Sequence, residues 1–137
     1  MYPPELVAPM AKDLTDFGFE SLHTAEAVDQ LFANPDESFL LVINSVCGCA
    51  AANARPAAKI AMNHGKHPAK AYTVFAGVDR AATDRARDYL LPYPPSSPAI
   101  ALFKEGRLVH MIERHHIEGR SAQMIASNLA EAFEAYC

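Results

Sequence analysis

Long apolar runs are missing from this sequence. None approaches the ~20 residues that a membrane-spanning helix needs, and the opening Met1-Tyr2-Pro3-Pro4-Glu5 has no basic head of the kind that begins a secretory signal. A cytoplasmic protein with no membrane partner is the expectation that follows. Basic excess is missing too: 12 Lys and Arg stand against 16 Asp and Glu, for a net charge of -4. No Lys/Arg stripe interleaved with aromatics occurs, so nucleic acid is not expected as a partner. Cysteine is scarce, and three residues make no disulfide framework. In a reducing compartment, two of them standing close together point instead to redox or metal chemistry. What is present is ordinary globular material. Half of the 137 residues are hydrophobic and 20% are charged, which suits a single domain spanning 1–137 with one buried core.

Taken in order, the chain opens on a helical pattern from Pro4 to Phe17, where Leu6, Met10, Leu14 and Phe17 recur at helical spacing despite Pro9. Gly18 ends it, and Phe19-Glu20-Ser21-Leu22 reads as a short edge strand. Thr24 then caps a second helix whose buried side is Ala27, Val28, Leu31 and Phe32, closed by Asn34-Pro35-Asp36. A buried strand follows at Phe39–Ile43, and an alanine-rich helix runs from Ala50 to Met62. Pro56 removes a hydrogen bond inside that helix and should mark a kink. Ala71–Ala76 is the next strand and Asp79 to Leu91 the next helix. Four of the ten prolines fall between Pro92 and Pro98, a rigid extended loop. Ala99–Phe103 and Arg107–Ile112 flank Lys104-Glu105-Gly106 as an antiparallel hairpin, and Ser121 to Tyr136 forms the last helix with Ile125, Leu129, Phe133 and Tyr136 along one side. Such alternation, ending in a hairpin and a helix, predicts an α/β fold: a central mixed sheet with helices on both faces.

The informative stretch is Asn44-Ser45-Val46-Cys47-Gly48-Cys49-Ala50, at the turn between the buried strand and the alanine-rich helix. The first turn of a helix offers unpaired N–H groups and the positive end of the helix dipole, which stabilise a thiolate there. Cys47 is the better placed of the two thiols. Residues two apart on a helix point roughly 200° apart, so a Cys47–Cys49 bridge is expected to require non-helical backbone between them, with Gly48 supplying the freedom. A ring that small should be strained and easily reduced. Open α/β sheets place ligands at the carboxyl ends of their strands, where these thiols fall. A reduced, half-buried pair without chemistry is the plain alternative.

Strand, paired cysteines opening a proline-kinked helix, a further βα unit, a proline before a hairpin and a C-terminal helix together resemble the thioredoxin fold. The particular words Asn-Ser-Val-Cys-Gly-Cys-Ala at 44–50, Arg55-Pro56-Ala57, Pro95-Ser96-Ser97-Pro98 and Glu113-Arg114-His115-His116-Ile117-Glu118-Gly119-Arg120 resemble the bacilliredoxin family, over essentially the whole chain. The resemblance implies a thioredoxin-like three-layer α/β/α domain with a central mixed sheet and an added N-terminal helix. It implies a thiol–disulfide oxidoreductase that removes bacillithiol from mixed disulfides on oxidised cytosolic proteins. Disulfide isomerase activity could accompany this, no cofactor is required, and a flavoprotein reductase could serve as partner. By position, Cys47 becomes the attacking thiol, Cys49 the second thiol, and Pro98 the proline held cis beside the active site.

The remaining candidates are substrate-binding groups around the thiols. Asn44 and Ser45 could hydrogen-bond a thiolate or merely finish the strand, Gly48 leaves the sulfurs open, and His115 and His116 could orient substrate, move a proton or join the thiols on a metal. Solvated loop histidines are the simpler reading of that pair. Cys137, the last residue, could be a spare thiol or could reach a partner or the active site. The rival function is soft-metal binding, since adjacent thiolates suit Cu(I), Zn or an Fe–S cluster; against it, only two cysteines are paired where a closed zinc site wants four ligands.

Overall fold

The computed structural model of the chain describes residues 2–35 and 37–137; Asp36, expected in the turn after the second helix, lies outside them. The elements run α1 (Pro4–Thr15), β1 (Glu20–Ser21), α2 (Ala25–Ala33), β2 (Ser38–Asn44), a π-helical turn (Ala50–Ala54) continuing into α3 (Arg55–Met62), then β3 (Lys70–Phe75), α4 (Arg80–Asp88), β4 (Ala99–Lys104), β5 (Arg107–Ile112), α5 (Arg114–Ile117) and α6 (Ala122–Tyr136). This is the expected alternation with one addition, α5, which carries the two histidines that the simpler reading leaves in a loop.

The five strands form one mixed sheet in the order β1-β3-β2-β4-β5. β1 and β2 both lie parallel to β3, β4 is antiparallel to β2, and β5 is antiparallel to β4. β5 therefore points the same way as β2. The carboxyl ends of β2 and β5 and the amino end of β4 share one edge of the sheet, so the segments after Asn44, before Ala99 and after Ile112 meet there.

The period of two along β2 divides the core. Leu40 and Val42 face a layer made by Leu14 of α1, Ala54, Ala57, Ala58 and Ala61, and Ile125, Leu129 and Phe133 of α6. Phe39, Leu41 and Ile43 face the other layer, against Val28 and Leu31 of α2 and Ala82 and Ala86 of α4. Both faces are covered, as expected for parallel strands that read as a continuous apolar run. Small alanine side chains let α3 lie close to the central strands.

Several local details differ from the sequence reading. In α1, Val7 and Leu14 are the buried residues, whereas Leu6 and Phe17 stand 45% and 41% exposed. Tyr136 also lies at the surface rather than with Ile125, Leu129 and Phe133. The irregularity expected at Pro56 lies one turn earlier, as a π turn in which the Arg55 N–H reaches back to the Ala50 carbonyl. Pro56 follows directly on that π turn, and its missing N–H leaves a carbonyl of the turn without its helical donor. In the β4–β5 hairpin Glu105 and Gly106 have φ of 52° and 80°, the left-handed pair that a two-residue hairpin turn requires.

Candidate active site

The path from β2 into the helix is set by a polar network beneath it. Asn44 is the last residue of β2 and is fully buried, 1% exposed. Its Oδ1 accepts from the Ser45 N–H at 2.8 Å and from Arg55 Nη1 at 2.9 Å, and its Nδ2 donates to the Met10 carbonyl at 3.2 Å. Arg55, buried in spite of its charge, also donates to the Ser45 carbonyl and, through Nε, to Asp13 at 3.0 Å. Lys59 holds the other oxygen of Asp13. Burial works to raise the Asp13 carboxyl, but hydrogen bonds from Lys59 and Arg55 keep it below the usual carboxylate value. A buried guanidinium needs such pairing, because an uncompensated charge in the interior is costly. The loop that presents the thiols is thus tied to α1, to β2 and to the helix that follows it.

Ser45 continues the same construction. Its Oγ accepts from the Cys47 N–H at 2.9 Å. The Cys47 carbonyl in turn accepts from Ala50 and Ala51 N–H, so Cys47 is the capping residue of the helix. Its sulfur does what a serine or aspartate oxygen does at that position: it accepts the N–H two residues on, that of Cys49, at 3.4 Å. Gly48 and Cys49 are already helical, Cys49 with φ -69° and ψ -22°. The sulfurs nevertheless lie 2.6 Å apart. The pair is unbridged, and the sulfurs come together with Cys47 lying just before the helix and Gly48 and Cys49 within it. A Cβ on Gly48 would also meet nothing within 4 Å, so the glycine is not demanded by space or by a left-handed backbone.

The two thiols have opposite acidities. Cys47 is held below the ordinary thiol value by the hydrogen bond from the Cys49 thiol, then by the Cys49 backbone N–H and the Arg114 charge, with partial burial opposing. Cys49 is pushed up to about 11 by burial, by donating to Cys47 and by the negative charge on Cys47. The arrangement makes Cys47 the more acidic thiol, beside a partner that holds its proton more tightly.

Around this pair the shared edge of the sheet brings the other segments in. Pro98 is buried and the Ser97–Pro98 bond is cis, as the family resemblance implies; a second cis bond precedes Pro92. Arg114 donates to the Ser97 carbonyl at 3.3 Å, pairs with Glu118, and is the cation that both sulfurs sense. Sequence reasoning quotes Arg114 within a motif yet gives it no role. The signal was the sheet order, which alone places the end of β5 beside the end of β2. Arg55 was passed over likewise, hidden in a helix that reads as apolar.

His115 and His116 share α5 with Arg114. Their rings are 4.0 Å apart, and His116 Nδ1 accepts from the Glu113 N–H as part of a capping box. Burial and the neighbouring His115 push His116 down, keeping it neutral at pH 7. Among the described residues the grouping with metal-ligand spacing is Glu113, His115 and His116, which does not include the thiols. Cys137 is at the other end of the sheet, hydrogen-bonded to Ser38, the first residue of β2. A seven-residue strand separates it from the thiol pair, about 20 Å.

Comparison with known proteins supports the same reading. The profile of a family described as disulphide isomerase matches residues 2–137. A protein of Cytophaga hutchinsonii named bacilliredoxin is 58% identical over 98% of this chain and 98% of its own length. Bacilliredoxins of Salinibacter ruber and Koribacter versatilis are 57% and 49% identical, over 99% and 100% of this chain and 81% and 94% of theirs. Among solved structures, a protein of thioredoxin fold superposes with a TM-score of 0.65 at 18% identity, covering 82% of this chain and 91% of that one. Malassezia sympodialis thioredoxin gives 0.59 at 15% identity, covering 87% and 90%. These two likenesses establish the fold. With that fold, with full-length relatives at such identity, and with a close pair of free thiols at the end of its sheet, the chain belongs to the bacilliredoxin family and is a thiol–disulfide oxidoreductase.

Proposed function

We propose that the chain strips a low-molecular-weight thiol, bacillithiol, from mixed disulfides it has formed with cytoplasmic proteins. The observation that carries the reading is the placement of the pair: Cys47 caps a helix and its sulfur accepts from the Cys49 N–H, with the Cys49 sulfur 2.6 Å away, which lowers the Cys47 thiol and raises its neighbour. In the first step the Cys47 thiolate attacks the cap sulfur. The protein–cap disulfide breaks, a Cys47–cap disulfide forms, and the substrate's thiolate leaves and takes a proton from solvent. In the second step either Cys49 or a free molecule of the small thiol attacks. Attack by Cys49, after losing its proton, releases the cap as thiolate and leaves a Cys47–Cys49 disulfide for an external reductant, for which a flavoprotein reductase is the proposed source. Attack by a free thiol releases the symmetric small disulfide and restores Cys47 directly. Capping removes the Cys47 charge that helps hold the Cys49 proton, but burial still favours the protonated thiol, so the second route competes.

Asn44 and Ser45 act in this scheme through the loop they shape, Gly48 by leaving the sulfurs uncovered, and Pro98 and the α5 residues by flanking the place where the capped protein docks. Isomerase chemistry, which the family description mentions, would use the same attack by Cys47 on a substrate disulfide. Mass spectrometry of Cys49→Ala after one exposure to bacillithiol-capped protein is the test. The expected product is Cys47 carrying one cap and the substrate freed, with turnover only when small thiol is added. An uncapped Cys47 with substrate still capped would sink the assignment.

A further inference from the structure

A groove opens between the free edge of β5 and α6, with a cavity of about 460 Å³, a volume suited to a small molecule. Its floor is Ile112, Met124 and Ile125, and its rim carries His116 and Arg120. On the far side His110 Nε2 and Asn128 Oδ1 bond each other at 2.7 Å. Two links join this groove to the active site. His116 shares α5 with Arg114, the cation that both sulfurs sense, and the Asn53 side-chain amide, about one turn after Cys49, donates to the Arg120 carbonyl.

The charge on the rim is what selects an occupant. His116 is neutral at pH 7, and Arg114 is paired with Glu118. Arg120 has no carboxylate partner among the described residues; one Nη1 hydrogen reaches the His116 carbonyl, which leaves the rest of the guanidinium fork free. α6 begins at Ala122, so the positive end of a 15-residue helix dipole falls at the same rim. In a chain of net charge -4, a permanent cation left unpaired above an apolar floor matches a small anionic molecule with some carbon skeleton.

We propose that this groove holds the carboxylate-bearing body of the low-molecular-weight thiol, with a carboxylate on Arg120, while the sulfur of that thiol is engaged at Cys47. The inference rests on the cap-removal reading above and adds where the cap is recognised. Bacillithiol and glutathione both carry carboxylates, so the test has an arm for each.

S-methylated bacillithiol and S-methylated glutathione cannot exchange disulfides and so report on the groove alone. Titrated into the full chain with NMR detection, at least one should shift the Met124 methyl and the Arg120 Nε–H, whereas the neutral 2-(methylthio)ethanol should not. Response to bacillithiol alone assigns the groove to that thiol; response to both shows that the carboxylates suffice. Arg120→Gln should weaken binding about tenfold, the loss of one charge-assisted hydrogen bond. Met124→Glu, at a side chain 59% exposed and so harmless to folding, should do the same by repulsion. Shifts absent from the groove for both acidic thioethers, shifts equal for the neutral one, or affinity unchanged in both variants overturns the proposal. Cap removal by Cys49→Ala, measured separately, decides the underlying function whichever way the groove behaves.

Discussion

Cys47 and Cys137 are the same side chain at opposite ends of the same sheet, and their places relative to the helices beside them go with opposite shifts in acidity. Cys47 stands before the first turn of a helix, where a sulfur can accept an N–H and the dipole favours negative charge. Cys137 stands after the last turn of α6, its own N–H donated to Phe133, where the dipole disfavours an anion and burial pushes the thiol up. Both are half-buried, so exposure alone does not separate them, although burial is the largest cause at Cys137 and a hydrogen bond the largest at Cys47. Position along the helix axis does, together with what lies underneath: a polar network ties down the Cys47 loop, whereas Cys137 packs against the apolar core.

The largest expected effect breaks this comparison outright. Cys47→Ala should abolish reduction of a capped protein, while Cys137→Ala should leave the rate within about twofold of the parent, as suits a residue about 20 Å from the chemistry. Steady-state release of the cap, followed by mass spectrometry, gives both numbers. Equal losses in the two variants would mean that the ends of the sheet are functionally connected.

Next in size is the network that only the Cys47 end possesses. Arg55→Met removes the donor shared by Asn44, the Ser45 carbonyl and Asp13, and leaves buried acceptors unpaired. The expected loss in urea unfolding is about 3 kcal/mol, and Arg55→Lys should recover only part of it, because an ammonium cannot reproduce the fork. A change below about 0.5 kcal/mol would show that the loop is held by packing alone.

Arg55 also shows why some of this end is legible in the sequence and some is not. The strand, the thiols and the helix could be located because each has a local signature: a β-rich run, a short-range pair, a 3.6-residue pattern. Thr24 caps its helix as read, since a cap is a contact three residues long, and Ser121, read only as the start of the last helix, caps that one. Contacts such as Arg55 to Asp13, or Arg114 to Ser97, are made by elements far apart in the chain, and no periodicity encodes them. The family words had carried Arg55 and Arg114 along without a role, and the sheet supplied one. The helix-angle argument about Gly48 concerns a bridged pair, whereas in the unbridged pair Cys47 lies before the helix and Gly48 within it.

A smaller effect sharpens the acidity difference. Alkylation rate against pH should place the Cys47 midpoint below the ~8.5 of a free thiol and those of Cys49 and Cys137 above it. In Arg114→Gln the Cys47 midpoint should move upward, since one cause of its depression is gone, but it should not reach the free-thiol value because the hydrogen bond from Cys49 remains. Added salt should move the parent the same way, as the guanidinium is at the surface. No movement in either case would assign the whole depression to the helix end and the partner thiol.

The smallest effect is on stability against pH, where the two ends should pull in opposite directions. Below ~8.5 an unfolded cysteine keeps its proton while folded Cys47 has lost it, so the unfolded state binds more protons and stability rises with pH through that window, falling away again as pH drops through the folded value. Above ~8.5 the order reverses. Folded Cys49, at about 11, and folded Cys137, also raised, keep protons that the unfolded chain has lost, so stability declines as pH climbs from there toward about 11. Urea midpoints measured from pH 6 to 10.5 should therefore pass through a maximum near the free-thiol value. Cys137→Ala should make the alkaline decline shallower and leave the rise below it untouched. Cys47→Ala should flatten the rise and also soften the decline, since the anion that helps hold the Cys49 proton is gone. A decline that persists unchanged in Cys137→Ala would place the alkaline loss on Cys49 alone and remove Cys137 from the comparison.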